Sequence, residues 1–178
     1  MGVMAADRKE DAELADRAAQ GDDKAFGKLV GRYGGPLYGF CRRIMGSDDE
    51  AEDRTQEAFL RAYQDLERFD PERSFKSWLY RIAQNACIDV LRKRKAWSPL
   101  AEEDEAGLTA PPLLRHQDLG DLQEVVRELP GKYQAILHLK YTEGLDANEI
   151  ADALGMTAGG VRVTLHRAIR VLREKVRQ

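Results

Sequence analysis

The chain has 178 residues and a formal net charge of −3, enough length for one domain or two small ones and too acidic overall for a non-specific nucleic-acid coat. No apolar run approaches the ~18 residues of a membrane span. The polar, charge-mixed start also lacks the apolar core and small-residue cleavage site of a secretory signal, so cytoplasmic residence is the expectation. Helix formers dominate over turn residues, which predicts an all-α chain.

A first helix is predicted from about Asp7 to Gln20. Asp22 is an N-cap candidate for a second, whose Phe26, Leu29, Val30 and Tyr33 recur at helical spacing. Gly34, Gly35 and Pro36 are expected to kink or break it before Leu37, Phe40 and Ile44. Ser47 to Glu50 reads as a capping box that opens a third helix running to about Leu66. A loop over Glu67–Arg73 follows, then a fourth helix from about Ser74 to Arg94.

On that fourth helix Phe75, Leu79, Ile82, Ala86 and Val90 form the core stripe. Trp78, Arg81, Asn85 and Arg92 share a neighbouring face, with Asp89 at its edge. Aromatic rings stack on unpaired bases, amides read base edges and arginines hold phosphates, so this stripe suits a nucleic-acid strand. A half-core tryptophan followed by a solvated basic helix end is the plainer reading of the same residues.

Residues 96–117 hold three of the six prolines and the acidic cluster at 101–105, and read as a linker. Beyond it, Asp118 to Leu129 is a predicted helix that Pro130 and Gly131 end. Tyr133 to Thr142 is a second, with Gly144 as its C-cap. Asp146 to Glu149 is a capping box for a short helix to Leu154. Gly155, Met156 and Thr157 then turn the chain into a last helix reaching about Val176, with Thr157 as its cap.

A short helix, a glycine turn and a longer helix make a helix-turn-helix, here spanning about Leu129 to Val176. Val161, Leu165, Ala168, Ile169, Leu172 and Val176 face its core, while Arg162, His166, Arg170, Arg173 and Arg177 line the other side. The N-terminal part of such a helix meets base edges in the major groove, which singles out Arg162 and His166. A plain bundle with a basic last helix would explain that face but not the turn and the caps.

Cys41 and Cys87 lack metal-ligand spacing and read as two small buried thiols in a reducing compartment. His116, His138 and His166 form no constellation, and no phosphate-binding glycine loop or nucleophile elbow is present. The chain is therefore not expected to be an enzyme or to need a cofactor or metal.

The ordered set of motifs resembles the extracytoplasmic-function (ECF) group of bacterial sigma factors. It comprises Gly21-Asp22 with Ala25-Phe26, Asp49 to Asp53 leading into Thr55–Tyr63, Phe75–Asn85 running into Ile88–Arg94, Leu129-Pro130 with Tyr133, Gly144–Ala151, and Val161 to Ala168. The resemblance implies two small helical domains joined by a flexible linker: region 2 over 1–95, the linker over 96–117, and region 4 over 118–178. It implies a promoter-specificity subunit serving a stress or envelope-signal regulon. Such a subunit binds the clamp of the largest polymerase subunit and the flap of the second-largest, and an anti-sigma factor is the further partner implied.

Residue by residue, the resemblance places Asp53, Gln56 and Glu57 against the clamp, although a solvated acidic helix face is the plainer reading of those three. It assigns Phe69 and its loop, with Trp78, Asn85, Asp89 and Arg92, to the single-stranded minus-ten element. It assigns Arg162, Val163, His166, Arg167 and Arg170 to the double-stranded minus-thirty-five element. Gly160, Val163, Ala147 and Ile169 depart from the residues common in the group, so the minus-thirty-five preference is not expected to copy that of relatives. A stand-alone helix-turn-helix regulator and a sigma-mimic adaptor are the alternatives.

Overall fold

The structure, a computed structural model, describes residues 2–93, 125, 126 and 128–176, with side chains from residue 7 onward. Every element among them is helical: α1 Gly2–Ala19, α2 Asp23–Met45, α3 Asp48–Gln64, a 3-10 turn Leu66–Arg68, α4 Phe75–Lys93, α5 Gly131–Leu137, α6 Ala147–Leu154 and α7 Ala158–Val176. The predicted linker and most of the predicted helix 118–129 lie outside the described residues.

Helices α1 to α4 pack as one unit. Asp22 caps α2 as its sequence predicts, accepting a hydrogen bond from the Ala25 amide at 3.1 Å. The predicted interruption at Gly34–Pro36 does not divide the helix: α2 is continuous, with Pro36 inside it. Pro36 costs one backbone hydrogen bond. Tyr33, Leu37 and Phe40 on either side are buried, so tertiary packing holds the helical path through the proline.

The start of α3 is also a partial correction. Ser47 stands at the N-cap with extended backbone, but its side chain makes no capping hydrogen bond. Asp48, Asp49 and Glu50 supply negative charge to the first turn instead. Asp48 in turn accepts from Arg42 and from the Tyr38 hydroxyl, which ties α3 to the end of α2.

The core stripe of α4 is wider than its sequence periodicity suggests. Phe75, Leu79 and Ala86 are fully buried, whereas Ile82 and Val90 are only half-buried. Ser77, Tyr80, Ala83, Gln84 and Cys87 are buried as well. An isolated amphipathic helix buries one stripe. A second buried face, with a glutamine in it, means that α4 is covered on two sides.

The second cover is the C-terminal unit. Its α5 begins at Gly131 rather than Tyr133 and runs into a π-helical turn, His138–Thr142. Gly144 follows in the left-handed conformation that suits a glycine C-cap, at φ +69°. Helix α6 lies across α4, and Gly131 sits so close to the end of α2 that a Cβ there would be 3.9 Å from the carbonyls of Arg43 and Ile44. The hydrophobic core is consequently shared: Ile136, Leu139, Ile150 and Val161 belong to the same buried cluster as Phe40, Leu79 and Tyr80.

Candidate nucleic-acid interface

The loop between α3 and α4 and the first half of α4 enclose a cavity of about 360 Å³. Phe69, Trp78 and Asn85 line it together. Phe69 is held by neighbouring rings: its centroid lies 5.2 Å from that of Trp78 and 5.4 Å from that of Phe75. Phe75 is buried, while Phe69 and Trp78 remain half-exposed. The buried ring thus fixes two others that keep faces available for stacking.

Sequence reasoning pointed to the loop around Phe69 without saying which of its side chains face the site. Arg68, Asp70 and Arg73 do, Ser77 lies on the same wall unforeseen, and Arg81, noted on the stripe, joins them. Their signal was weak, because loop residues carry no period from which a facing direction can be read. Three arginines around two aromatic rings and an amide make a site for a flat, polar group attached to an anionic chain. An unstacked nucleotide has that form.

The other two residues assigned to the minus-ten strand do not reach this cavity. Asp89 is about half exposed and lies 3.8 Å from Arg61. Arg92 is exposed in the last turn of α4. Both stand further along α4. On α3, Asp53 is largely exposed and Gln56 donates to Glu52 at 3.1 Å. Glu57 is paired with both Arg54 and Arg61. Leu60 and Tyr63 add exposed apolar surface to the same helix.

The helix-turn-helix is built by local chemistry. Asp146 accepts from the amides of Asn148 and Glu149 at 2.8 and 2.9 Å, and Glu149 reaches back to the Asp146 amide at 3.0 Å. This completes the predicted capping box of α6. Gly155 turns the chain at φ +63°, and Thr157 caps α7 by accepting from the Gly160 amide at 3.0 Å. A side chain at 160 would crowd that cap, its Cβ lying 3.1 Å from the Thr157 hydroxyl.

Of the residues assigned to the minus-thirty-five element, Arg162 and Arg170 are exposed, and His166 and Arg167 half-buried. Val163 is buried, 8% exposed, and in this arrangement is not presented to solvent. Its apolar side chain packs rather than projects.

Polar groups stitch the two units together. Lys76 on α4 donates to the Glu143 carbonyl at 2.8 Å and lies 2.9 Å from its carboxylate. Gln84 donates to the Leu154 carbonyl at 3.1 Å, and Arg73 lies 3.8 Å from Asp152. His138 sits 3.3 Å from Glu143 and is almost fully buried. Burial pushes its pKa down to about 4, with Arg43 and Lys76 acting in the same direction and Glu143 opposing them. His138 is therefore neutral near pH 7.

Cys41 and Cys87 are both buried in the N-terminal unit. Among the described residues, no three His, Cys, Asp or Glu side chains are grouped so as to hold a metal ion, and no helix is long and apolar enough to cross a membrane.

Comparison with known proteins agrees with this geometry. The family model for Sigma-70 region 2 matches residues 29–96, and that for Sigma-70 region 4 matches residues 119–172. The chain is 37% identical over 172 residues to the ECF RNA polymerase sigma factor SigW of Bacillus subtilis, covering 89% of this chain and 92% of that one. It is 31% identical over 185 residues to the ECF RNA polymerase sigma-E factor of Haemophilus influenzae, covering 96% and 97% respectively. Among solved structures, that of CnrH in complex with the cytosolic domain of CnrY superposes with a TM-score of 0.70 at 26% identity, covering 94% of this chain and 97% of that one. With the cavity, the capped helix-turn-helix and both region matches in one chain, the protein belongs to the ECF group of the sigma-70 family of RNA polymerase sigma factors.

Proposed function

We propose that this chain is the promoter-specificity subunit of an RNA polymerase and makes three sets of contacts. Asp53, Gln56 and Glu57, with the exposed Leu60 beside them, meet the clamp of the largest subunit. Phe69, Trp78, Asn85, Asp89 and Arg92 hold the opened non-template strand of the minus-ten element. Arg162, His166, Arg167 and Arg170 dock the last helix into duplex DNA at the minus-thirty-five element. Residues 1–95 act as the first module, 118–178 as the second, and 96–117 as the connector that spans the polymerase between them.

The observation that carries this reading is the pairing of two different DNA surfaces in one chain. The aromatic, arginine-rich cavity suits an unstacked nucleotide. The capped α6–turn–α7 unit suits the major groove of a duplex. A protein that only read duplex DNA would have no use for the first. Promoter opening needs both, because a base taken out of the stack costs a few kcal/mol that stacking and hydrogen bonds must offset.

The role is one of recognition, so the chemistry of RNA synthesis stays with the polymerase and the chain acts in the compartment that holds it. An anti-sigma protein is the further partner this reading supplies, covering the surfaces that polymerase otherwise takes. The test is reconstitution. The purified chain is expected to co-elute with core polymerase and to yield discrete run-off transcripts from a promoter library. Failure to bind core polymerase would overturn the assignment.

A further inference from the structure

Cys41 and Cys87 are the only cysteines in the chain, and the fold brings them together. Helices α2 and α4 run side by side in the same direction. Tyr33 meets Phe75 with ring centroids 6.0 Å apart, and further along Phe40 meets Tyr80 at 5.0 Å. Beyond these rings Cys41 and Cys87 face each other, both fully buried, with their thiols hydrogen-bonded. Helix α3 packs against both helices, with Thr55 touching Cys41 and only Ala51 and Ala58 one turn to either side. The half-buried Arg54–Glu57 ion pair of α3 lies beside the thiols, and both its charges act on Cys87.

The two sulfurs are not equivalent. The Cys87 thiol donates to Cys41 and holds its pKa below the ordinary thiol value against the effect of burial, with Arg54 on the same side. Cys87, whose proton is engaged in that bond, is pushed up, and burial adds to the rise. Cys41 is thus the sulfur that ionises, and Cys87 the one that keeps its proton. A single buried thiol is inert. Here a second thiol stands in place to resolve the first, so one encounter with a small oxidant completes a bond.

We propose that Cys41 and Cys87 form a modification site, an oxidisable dithiol that hydroperoxide converts into an intramolecular disulfide tying α2 to α4 beneath the Arg54–Glu57 pair. With hydrogen peroxide, the Cys41 thiolate attacks one oxygen, the O–O bond breaks, and Cys41 becomes a sulfenic acid. The other oxygen leaves as hydroxide and takes the proton that Cys41 gave up, forming water. The Cys87 sulfur then attacks the Cys41 sulfur, its proton goes to the departing hydroxyl, and a second water leaves. The two sulfurs are oxidised and the two peroxide oxygens reduced.

The test exposes the reduced full chain to hydrogen peroxide under native conditions, counts free thiols in denaturant and maps tryptic peptides by mass. The expected product is a monomer that has lost two hydrogens, with the Cys41 and Cys87 peptides linked. Its melting temperature is expected to rise by roughly 5 °C or more and to return after reduction. Cys87→Ser leaves Cys41 without its resolving partner and is expected to trap with dimedone as a sulfenic acid adduct. Cys41→Ser is expected to label at least about tenfold more slowly.

The site is overturned if both thiols stay free while Met156 is oxidised, if the product is a disulfide-linked dimer, or if the sulfurs pass to sulfinic acid with no linked peptide. Equal labelling of the two serine variants would overturn the order of attack. Should either variant lose its helical circular dichroism, the peptide map of the wild-type chain decides the question alone.

Discussion

Lys76, in the first turn of α4, binds Glu143 twice, donating to its carbonyl at 2.8 Å and lying 2.9 Å from its carboxylate, across 67 residues of sequence. The contact joins the two units of the protein. It also pins the π-helical turn that ends α5 against the helix carrying Trp78 and Asn85.

Removing one partner of that pair is expected to cost more than the pair contributes. Lys76→Ala leaves the Glu143 carboxylate buried without its cation and should destabilise the protein by about 3 kcal/mol. Replacing both partners together, Lys76→Met with Glu143→Leu, should restore most of the loss, because no buried charge is left behind. Urea denaturation of the two variants checks this, and equal losses in both would contradict it.

His138 gives a pH dependence with a definite sign. Its folded pKa of about 4 lies below the ordinary 6.5, chiefly through burial, with Arg43 of α2 and Lys76 of α4 on the positive side and Glu143 opposing. The unfolded chain therefore binds the proton first as pH falls. Stability attached to the neutral imidazole is intact above about pH 6.5 and is lost progressively toward pH 4, by up to about 3 kcal/mol. The difference in urea midpoint between wild type and His138→Leu should narrow or reverse over that window. A constant difference from pH 7.5 to 4.5 would contradict it.

The capping box of α6 is a local device with a distant effect. Asp146→Ala removes the acceptor for the Asn148 and Glu149 amides and should cost about 1 kcal/mol. Since α6 positions the turn into α7, duplex affinity of the holoenzyme at the minus-thirty-five element should fall with it, while Asp146→Ser retains most of both. Thermal unfolding and duplex titration give the two readouts. Unchanged stability in Asp146→Ala would refute the prediction.

Arg162 is exposed near the start of α7, where helix-turn-helix proteins reach base edges. Arg162→Ala should cost about 1–3 kcal/mol of discrimination and relax one position of the minus-thirty-five element. Arg170→Ala, two turns further along, should weaken binding to all sequences alike and lower its salt dependence. A uniform loss for Arg162→Ala would make it a phosphate contact instead.

What the sequence made legible was mostly local. Asp22, Asp146, Gly155 and Thr157 cap or turn helices through neighbours within a few residues, and all four act as their positions imply. Pro36 misled because local propensity argues for a break there, while the burial of Tyr33, Leu37 and Phe40 overrides it. Ser47 misled in the opposite way: its position is a cap, but Asp48 is drawn to Arg42 and Tyr38 and the hydroxyl makes no cap bond.

The site was legible only in part. Helical spacing put Trp78, Arg81 and Asn85 on one face of α4, and the cavity does gather them. Arg68 and Arg73 come from an aperiodic loop, and Asp152 comes from the other unit, so spacing alone places none of them there. Gln84 shows the limit best. One residue before Asn85 it looks like another solvated amide, and only the arrival of the Leu154 carbonyl buries it.

The most direct test of the central claim is selection of promoter DNA from a random library by polymerase reconstituted with this chain. The account predicts enrichment of two sequence blocks at a fixed separation, with the downstream block opened to a single-strand probe and that opening lost in Trp78→Ala. Enrichment of a single palindrome, or the same enrichment with core polymerase omitted, would contradict it.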